Sequence, residues 1–327
     1  MKYSAYYVEE IDGVFSASIS ELELEKPSDG FVQIQVSCSS LNYKDALSAS
    51  GNKGVTRNYP FVPGIDAAGT ISDANSSNFV EGDEVLVTGY DMGMNTPGGF
   101  GEFINVPANW VVKKPSALTS IEAMSIGTAG LTAAASVLKI QESSKESDLP
   151  VLVSGATGGV GSIGVMLMSK LDKEVTALTG KSSSAGFLKS IGAKNVILRD
   201  DFLEGPGKPM ERALFSSAID TVGGNVLSKM LTQISPHGVV ACCGNVAGVE
   251  VNTTVFPFIL RGITLAGIDS AESSLEFKTN VWRKFANEWK LDLSPIIKVV
   301  TKENLQQEID LILQGGQQGR VVLKHGE

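Results

Sequence analysis

PVLVSGATGGVGSIG, residues 150–164, sets the architecture of this chain. It opens on a short β-branched apolar run, residues 151–153. A glycine-rich turn follows, with Gly155, Gly158, Gly159 and Gly161. Residues 163–171 are then apolar and free of proline, as a helix requires. Strand, glycine turn and helix in that order form the context of a dinucleotide-binding fold. Glycines let the backbone turn sharply and come close to a pyrophosphate. The first-turn N–H groups of the helix, aided by its dipole, then face the phosphates. The turn carries Ala156 in place of a leading glycine and so departs from strict G-x-G-x-x-G. A plain glycine-rich βα loop is the alternative, and the flanking segments decide between the two.

Those segments alternate. Residues 125–138 are Ala-rich and helical, and 174–178 read as a second strand. Residues 184–191 are helical up to Gly192, 195–198 form a third strand, and 218–222 a fourth, ended by Gly223-Gly224. A helix over 226–234 leads to a fifth strand at 238–243, and a sixth follows at 263–268. Strand alternating with helix implies a doubly wound parallel sheet with right-handed crossovers. Ligands lie at the carboxyl ends of such strands, here Ser154, Thr179, Arg199, Val222, Gly244 and Asp269.

Residues 1–122 are β-rich instead. Residues 31–36 (FVQIQV) alternate, 84–87 follow a Gly82-Asp83 turn, and 92–101 read as a flexible loop before a strand at 102–106. Residues 270–327 carry helices near 277–289 and 303–314 and a last strand at 320–324. A lone terminal strand needs a host sheet, and the N-terminal β domain can supply one. The expected organisation is therefore α/β. A Rossmann domain at 123–269 is inserted in a β-rich domain made of 1–122 and 270–327.

Composition narrows the function. The chain has 327 residues, 43% hydrophobic and 19% charged, with a net charge of −9. That charge disfavours nucleic acid, whose binding needs clustered Lys and Arg. No apolar run approaches the ~20 residues that cross a bilayer, and the start MKYSAYYVEE lacks the features of a signal or transit peptide. A cytoplasmic protein with no membrane partner is the expectation. Cys38, Cys242 and Cys243 form no CxxC, and the only histidines are His237 and His325, so no metal site is expected.

The end of the second strand bears on the cofactor. An NAD-selective site places an acid there to hold the ribose 2′-hydroxyl. This chain reads Thr179-Gly180-Lys181-Ser182 instead. Lys181 can pair with a 2′-phosphate, Thr179 and Ser182 can donate to it, and Arg199 can reach it or stack on the adenine. NADP(H) is the expected cofactor.

Several segments together resemble the medium-chain dehydrogenase/reductases: the glycine turn, PGIDAAGTI at 63–71, EGDEVLV at 81–87, GGFGEF at 98–103 and GTAGLTA at 127–133. LNYKDAL at 41–47, PFILRGITLAGIDS at 257–270 and QGRVVL at 318–323 resemble the zinc-independent YhdH/YhfP branch, which includes acryloyl-CoA reductases. The resemblance implies a GroES-like catalytic domain holding the Rossmann insertion. Zinc-dependent relatives carry Gly-His-Glu where this chain has Gly64-Ile65-Asp66. It further implies that Thr157, Gly158, Gly159 and Val160 cradle the pyrophosphate. Thr179, Gly180, Lys181 and Arg199 would hold the 2′-phosphate end. Asn245, Ile259 and Ser270 would line the nicotinamide side, Thr128 would face its ribose or carboxamide, Arg320 would reach the cofactor, and Tyr43 would stand beside the ring in the domain cleft.

A nicotinamide enzyme without a metal suits an electrophile that is already activated. A conjugated enone, quinone or α,β-unsaturated thioester accepts hydride and forms an enolate. Tyr43 is the expected proton donor or oxygen contact, with Asn42 a further donor and Asp45 orienting the loop; Asn42 and Asp45 also suit simple turn capping. Lys44, Lys53 and Arg57 could meet coenzyme A phosphates or be solvated. The leading expectation is NADPH-dependent reduction of a small enoyl-CoA. A quinone or enone reductase comes second, and an NADPH-binding protein without turnover third. The apolar sixth strand at a sheet edge, with the resemblance, points to a homodimer.

Overall fold

The computed structural model describes residues 1–144, 147–205 and 207–326. The chain forms two compact units, Met1–Thr128 with Ala271–Glu327, and Ala129–Ser270. The first opens with a hairpin of β1 (Lys2–Ile11) and β2 (Val14–Glu23), two strands beyond those expected from the alternation at 31–36 and 84–87. Its loop, Asp12-Gly13, has φ of 52° and 78°. Asp-Gly between apolar strands is a strong short-range signal for such a turn.

β3 (Phe31–Leu41) is the central strand of a seven-stranded sheet. After it come α1 (Tyr43–Ala49), β4 (Asp66–Asp73), β5 (Glu84–Thr88), β6 (Phe103–Pro107) and β7 (Val112–Lys113). The first half of β3 pairs with β6, Phe31 opposite Pro107, while its other edge pairs with β4, Val36 opposite Gly69. Alternate residues point inward, and Val32, Ile34, Ile71, Val85, Val87 and Ile104 form one core. Residues 92–101 are packed rather than flexible. Met92 and Phe100 are buried, and the N–H groups of Gly98, Gly99 and Phe100 donate to Val62, Gly64 and Pro63 carbonyls at 2.8, 2.9 and 3.0 Å. A loop can be buried when its backbone donors find such partners.

The chain leaves the first unit along α2 (Ser120–Ser143), a longer helix than expected, broken at Gly127 (φ 50°, ψ −158°). By length and composition α2 could cross a membrane, against the expectation of no such apolar stretch, but 72% of its most apolar window is buried inside the protein. It is a core helix.

In the second unit β8 (Val151–Val153), α3 (Gly159–Lys170), β9 (Val175–Thr179), α4 (Ala185–Ser190), β10 (Asn195–Leu198) and α5 (Arg199–Leu203) come first. Then follow β11 (Ala218–Asp220), α6 (Gly224–Thr232), β12 (Val239–Cys242), α7 (Phe256–Arg261) and β13 (Thr264–Gly267). The sheet order is β10-β9-β8-β11-β12-β13, all parallel, with the chain order reversing between β8 and β11. Leu152, Leu178, Ala218, Leu227, Leu231 and Val240 fill one of its faces. Strict G-x-G-x-x-G does occur, three residues later than the Ala156 lead, at Gly159, Gly161 and Gly164 inside α3. A Cβ on Gly161 would lie 2.3 Å from the Gly155 carbonyl oxygen in the turn, and one on Gly164 would lie 3.2 Å from Ile219 Cδ1 of β11, so these two glycines let α3 pack close to the turn and the sheet. Arg199 opens α5 instead of ending a strand.

The return to the first unit brings α8 (Leu275–Ala286), β14 (Ile297–Val300), α9 (Lys302–Leu313) and β15 (Arg320–Lys324). As expected, the last strand joins the N-terminal sheet. β15 pairs antiparallel with β3, Val321 opposite Leu41, and parallel with β14 on its other side. Leu41, Ala46, Phe100, Leu305, Ile309 and Val321 form the second core of this unit.

His325 ends the strand. Its backbone N–H donates to Ser37 O at 2.9 Å, and its Nε2 donates to Gly99 O at 2.8 Å. Burial holds its pKa down at about 4, from an ordinary 6.5. The folded state therefore favours neutral imidazole, and its stabilisation is present above pH 6.5 and lost as pH falls toward 4. At about 1.36 kcal/mol per pKa unit, this is on the order of 3 kcal/mol. His325→Gln keeps a donor for Gly99 and cannot charge. In urea denaturation across this range the wild type should lose more stability than the variant, and parallel losses would refute the assignment.

Candidate active site

At the carboxyl ends of the parallel strands, the glycine turn leads into α3. Gly158 is the N-cap of that helix and offers no side chain to its first-turn N–H groups. Those groups have no intrahelical acceptors, so the turn presents a row of donors suited to an anion. Thr157 is buried beside it, while Gly158, Gly159 and Val160 are half-buried. The donor row fits a pyrophosphate.

The next strand end is cationic. β9 closes on buried Thr179, whose Oγ1 accepts from the Lys181 N–H at 3.1 Å. A Cβ on Gly180 would lie 3.4 Å from Arg199 Cζ, so the guanidinium lies along the Gly180 backbone. Burial pulls the Lys181 pKa below its ordinary value. Thr179, Gly180, Lys181 and Arg199 are thus together, with no acid ending β9. Arg199 Nε lies 3.4 Å from Asp200 Oδ1 across an exposed pair, which contributes little. This group fits a phosphomonoester.

The other residues expected in this unit lie at the same sheet end or beyond it. Asn245 is exposed after β12, and the Ser270 hydroxyl is buried against Thr132 Oγ1. Ile259 sits on α7 and is 69% exposed, which removes a core role for it.

In the first unit, residues from four parts of the chain meet in a buried polar network around Asp66, the first residue of β4. Its carboxylate accepts from Ser40 Oγ, from Asn42 Nδ2 at 2.9 Å, from the Thr128 N–H at 2.9 Å and from Thr128 Oγ1 at 2.6 Å. Arg320, opening β15, is buried. Its Nε donates to Ser125 O at 2.9 Å and its Nη1 to Asn42 Oδ1 at 3.2 Å and Leu41 O at 3.3 Å. Nη2 is buried with no partner among the described residues. Gly127 lets these groups close up. A Cβ there would stand 2.5 Å from Asp66 Oδ2 and 3.1 Å from Arg320 Nη2, at a φ that side chains rarely adopt.

Asn42 and Asp45 form the capping box of α1. Asp45 accepts from the Asn42 N–H at 2.8 Å, from Asn42 Nδ2 at 3.1 Å and from the Ile65 N–H at 2.8 Å. The Asn42 amide is thereby committed on both sides: Nδ2 to two carboxylates, Oδ1 to Arg320. In this arrangement Asn42 bridges the network and offers no donor to a bound molecule. Tyr43, the first residue of α1, is 38% exposed. Lys53, expected in a basic loop, forms an exposed ion pair with Glu10 and lies 4.9 Å from the Tyr59 ring centroid.

Asp66, Ser40 and Gly127 stand outside the expected set. Asp66 sits where zinc-dependent relatives carry Glu, the one signal in the sequence for its role. Among the described residues no group of three or more His, Cys, Asp or Glu could hold a metal, and Ile65 offers no ligand. A zinc ion does not fit this donor set.

Residues 28–116 match the family described as "Alcohol dehydrogenase GroES-like domain", and residues 159–287 match "Zinc-binding dehydrogenase". The chain is 41% identical to "Putative quinone oxidoreductase YhfP" of Bacillus subtilis, over 91% of each chain. It belongs to the YhdH/YhfP branch of the medium-chain dehydrogenase/reductases. It is 42% identical to "Probable acrylyl-CoA reductase AcuI" of Escherichia coli, over 86% of each. YhdH of Salmonella enterica, solved with NADP, superposes with a TM-score of 0.94 at 39% identity, covering 99% of this chain and all (100%) of that one. The Bacillus subtilis YhfP structure, solved with NAD, gives 0.95 at 38% identity, covering 99% of each.

Burial and the Asp66 carboxylate push Asp45 up to about 7, against the donors from Asn42 and Ile65 that pull it down. Its folded pKa lies above the ordinary 3.8. Its contribution to stability is therefore full below about pH 4 and lost as pH rises through 7. Asp45→Asn should cost more stability at about pH 5 than at about pH 8 in chemical denaturation. An equal cost at both, or the reverse order, would sink this assignment.

Proposed function

We propose that this protein is an NADPH-dependent reductase of activated alkenes, with a small α,β-unsaturated acyl-CoA such as acryloyl-CoA as substrate, working in the cytoplasm. The observation that carries the cofactor reading is the strand end Thr179-Gly180-Lys181 with Arg199 laid along it, cations where an acid would select NADH. The substrate reading draws on AcuI, at 42% identity. Bound NADPH would supply the hydride. The hydride adds to the β carbon, the C=C π electrons move toward the thioester carbonyl, and the resulting enolate takes a proton at the α carbon. Thr157 to Val160 would hold the pyrophosphate, and Thr128, Asn245, Ile259, Ser270 and Arg320 the nicotinamide side. Tyr43 is the exposed phenol free of the buried network, and we assign it the contact to the enolate oxygen or the delivery of the proton. Asn42 and Asp45 hold the turn that presents it.

YhfP, whose name is that of a quinone oxidoreductase, supports a second reading. Lys53 is paired with Glu10, which would compete with a coenzyme A phosphate for that lysine. NADPH oxidation at 340 nm decides between them. We expect kcat/KM for acryloyl-CoA of about 10⁴ M⁻¹s⁻¹ or more and well above that for a simple quinone. We also expect NADPH preferred over NADH, and a fall of at least about tenfold for Tyr43→Phe. The reverse substrate order makes the protein a quinone reductase, and equal use of NADPH and NADH would sink the cofactor reading. Binding without turnover on either substrate would favour a sensor role.

We also infer a homodimer joined through β13. That strand is the sheet edge, and Val246, Val249, Val255, Ile259 and Leu260, in the segment between β12 and β13, are all exposed. An open edge beside apolar side chains is normally covered. Light scattering should give twice the chain mass, and Val249→Asp with Leu260→Asp should give monomers. A monomeric wild type would rule the interface out.

A further inference from the structure

Asp220 closes β11 in the middle of the parallel sheet, at the point where strand order reverses. It is fully buried. Its Oδ1 accepts from Ser154 Oγ at 2.7 Å and from the Val222 N–H at 3.3 Å. Its Oδ2 accepts from the Gly223 N–H at 2.9 Å and faces the Cys242 thiol at 3.8 Å. Each oxygen thus faces donors only, and all of them are neutral. An amide could satisfy one side but would turn its own N–H₂ on the other. A buried carboxylate among neutral donors is a costly way to hold a sheet together. Its effect is local, on the loops that leave β8 and β11.

The chain of contacts runs from Asp220 to the glycine turn. Ser154 is the residue before Gly155. Its Oγ, donating to Asp220, accepts from the Thr221 N–H at 3.0 Å, and its carbonyl accepts from Thr221 Oγ1 at 3.0 Å. Thr221 in turn forms the floor of the turn: a Cβ on Gly155 would lie 2.2 Å from Thr221 Oγ1. The Gly155 carbonyl accepts from the N–H of Gly158, the N-cap of α3, at 2.9 Å. Moving Ser154 therefore moves the donor row itself.

We infer that Asp220 is a positioning residue for the cofactor pyrophosphate: through Ser154 and Thr221 it sets the height and angle of the glycine turn. The inference rests on the NADPH reading above. Its test uses two probes and binding alone. NADPH carries the pyrophosphate, whereas adenosine 2′-monophosphate reaches only the Thr179–Arg199 end. In calorimetric titrations of Asp220→Asn, the dissociation constant for NADPH should rise about tenfold or more, since Ser154 and the turn that follows it lose their anchor and the pyrophosphate donors shift. That for adenosine 2′-monophosphate should stay within about twofold. Ser154→Ala, a smaller change, should show the same split in reduced degree, and it carries the test if Asp220→Asn does not fold. Equal weakening of both probes would mean general loosening and overturn the inference, as would no change in either. A wild type that fails to bind NADPH would overturn the cofactor reading instead, so the two failures are distinguishable.

Discussion

The buried carboxylate of Asp66 is the contact on which the first unit depends. It joins the start of β4 to Ser40 at the end of β3, to Asn42 before α1 and to Thr128 beyond the break in α2. Arg320 enters from the last strand and completes the group through Asn42. A buried charge is tolerable only when hydrogen-bonded and paired, and removing one partner from such a set costs about 3–5 kcal/mol. The network also explains why Gly127 carries no side chain, since the space a Cβ would take is filled by Asp66 and Arg320.

The two units use the same device. Asp66 and Asp45 hold the turn that presents Tyr43, and Asp220 holds the turn that leads into α3. In each case a buried carboxylate accepts from segments far apart in sequence: Asp66 from Ser40, Asn42 and Thr128, Asp45 from Asn42 and Ile65, and Asp220 from Ser154 and Gly223. Burying acids in this way costs stability in general. The return is defined geometry at two loop ends, which a rigid scaffold holds in place.

The polar network changes the roles of the residues around it. Asn42 has its amide engaged on both sides by protein groups, and Lys53 pairs with Glu10 beside an aromatic ring. Arg320, on a terminal strand where a solvated charge is the ordinary expectation, is instead among the most deeply buried side chains. Tyr43 keeps an exposed ring one residue from the network.

Local chemistry was enough for much of this. The period of apolar residues and the glycine turn specified a parallel α/β unit, and the lone strand at 320–324 required a sheet elsewhere in the chain. The missing acid after β9 and the poor His and Cys inventory were visible as residue types. These signals are local: a strand, a turn or a cation is written in a few adjacent residues. Boundaries were less legible, as with Arg199, because strand ends are set by pairing. What only the tertiary structure decided was long-range. Asp66, Asn42, Thr128 and Arg320 are separated by up to 278 residues, and Ser154 and Asp220 by 66. No local pattern reveals which acid is buried or which donors it collects, because burial and partnership arise only when distant strands are brought side by side.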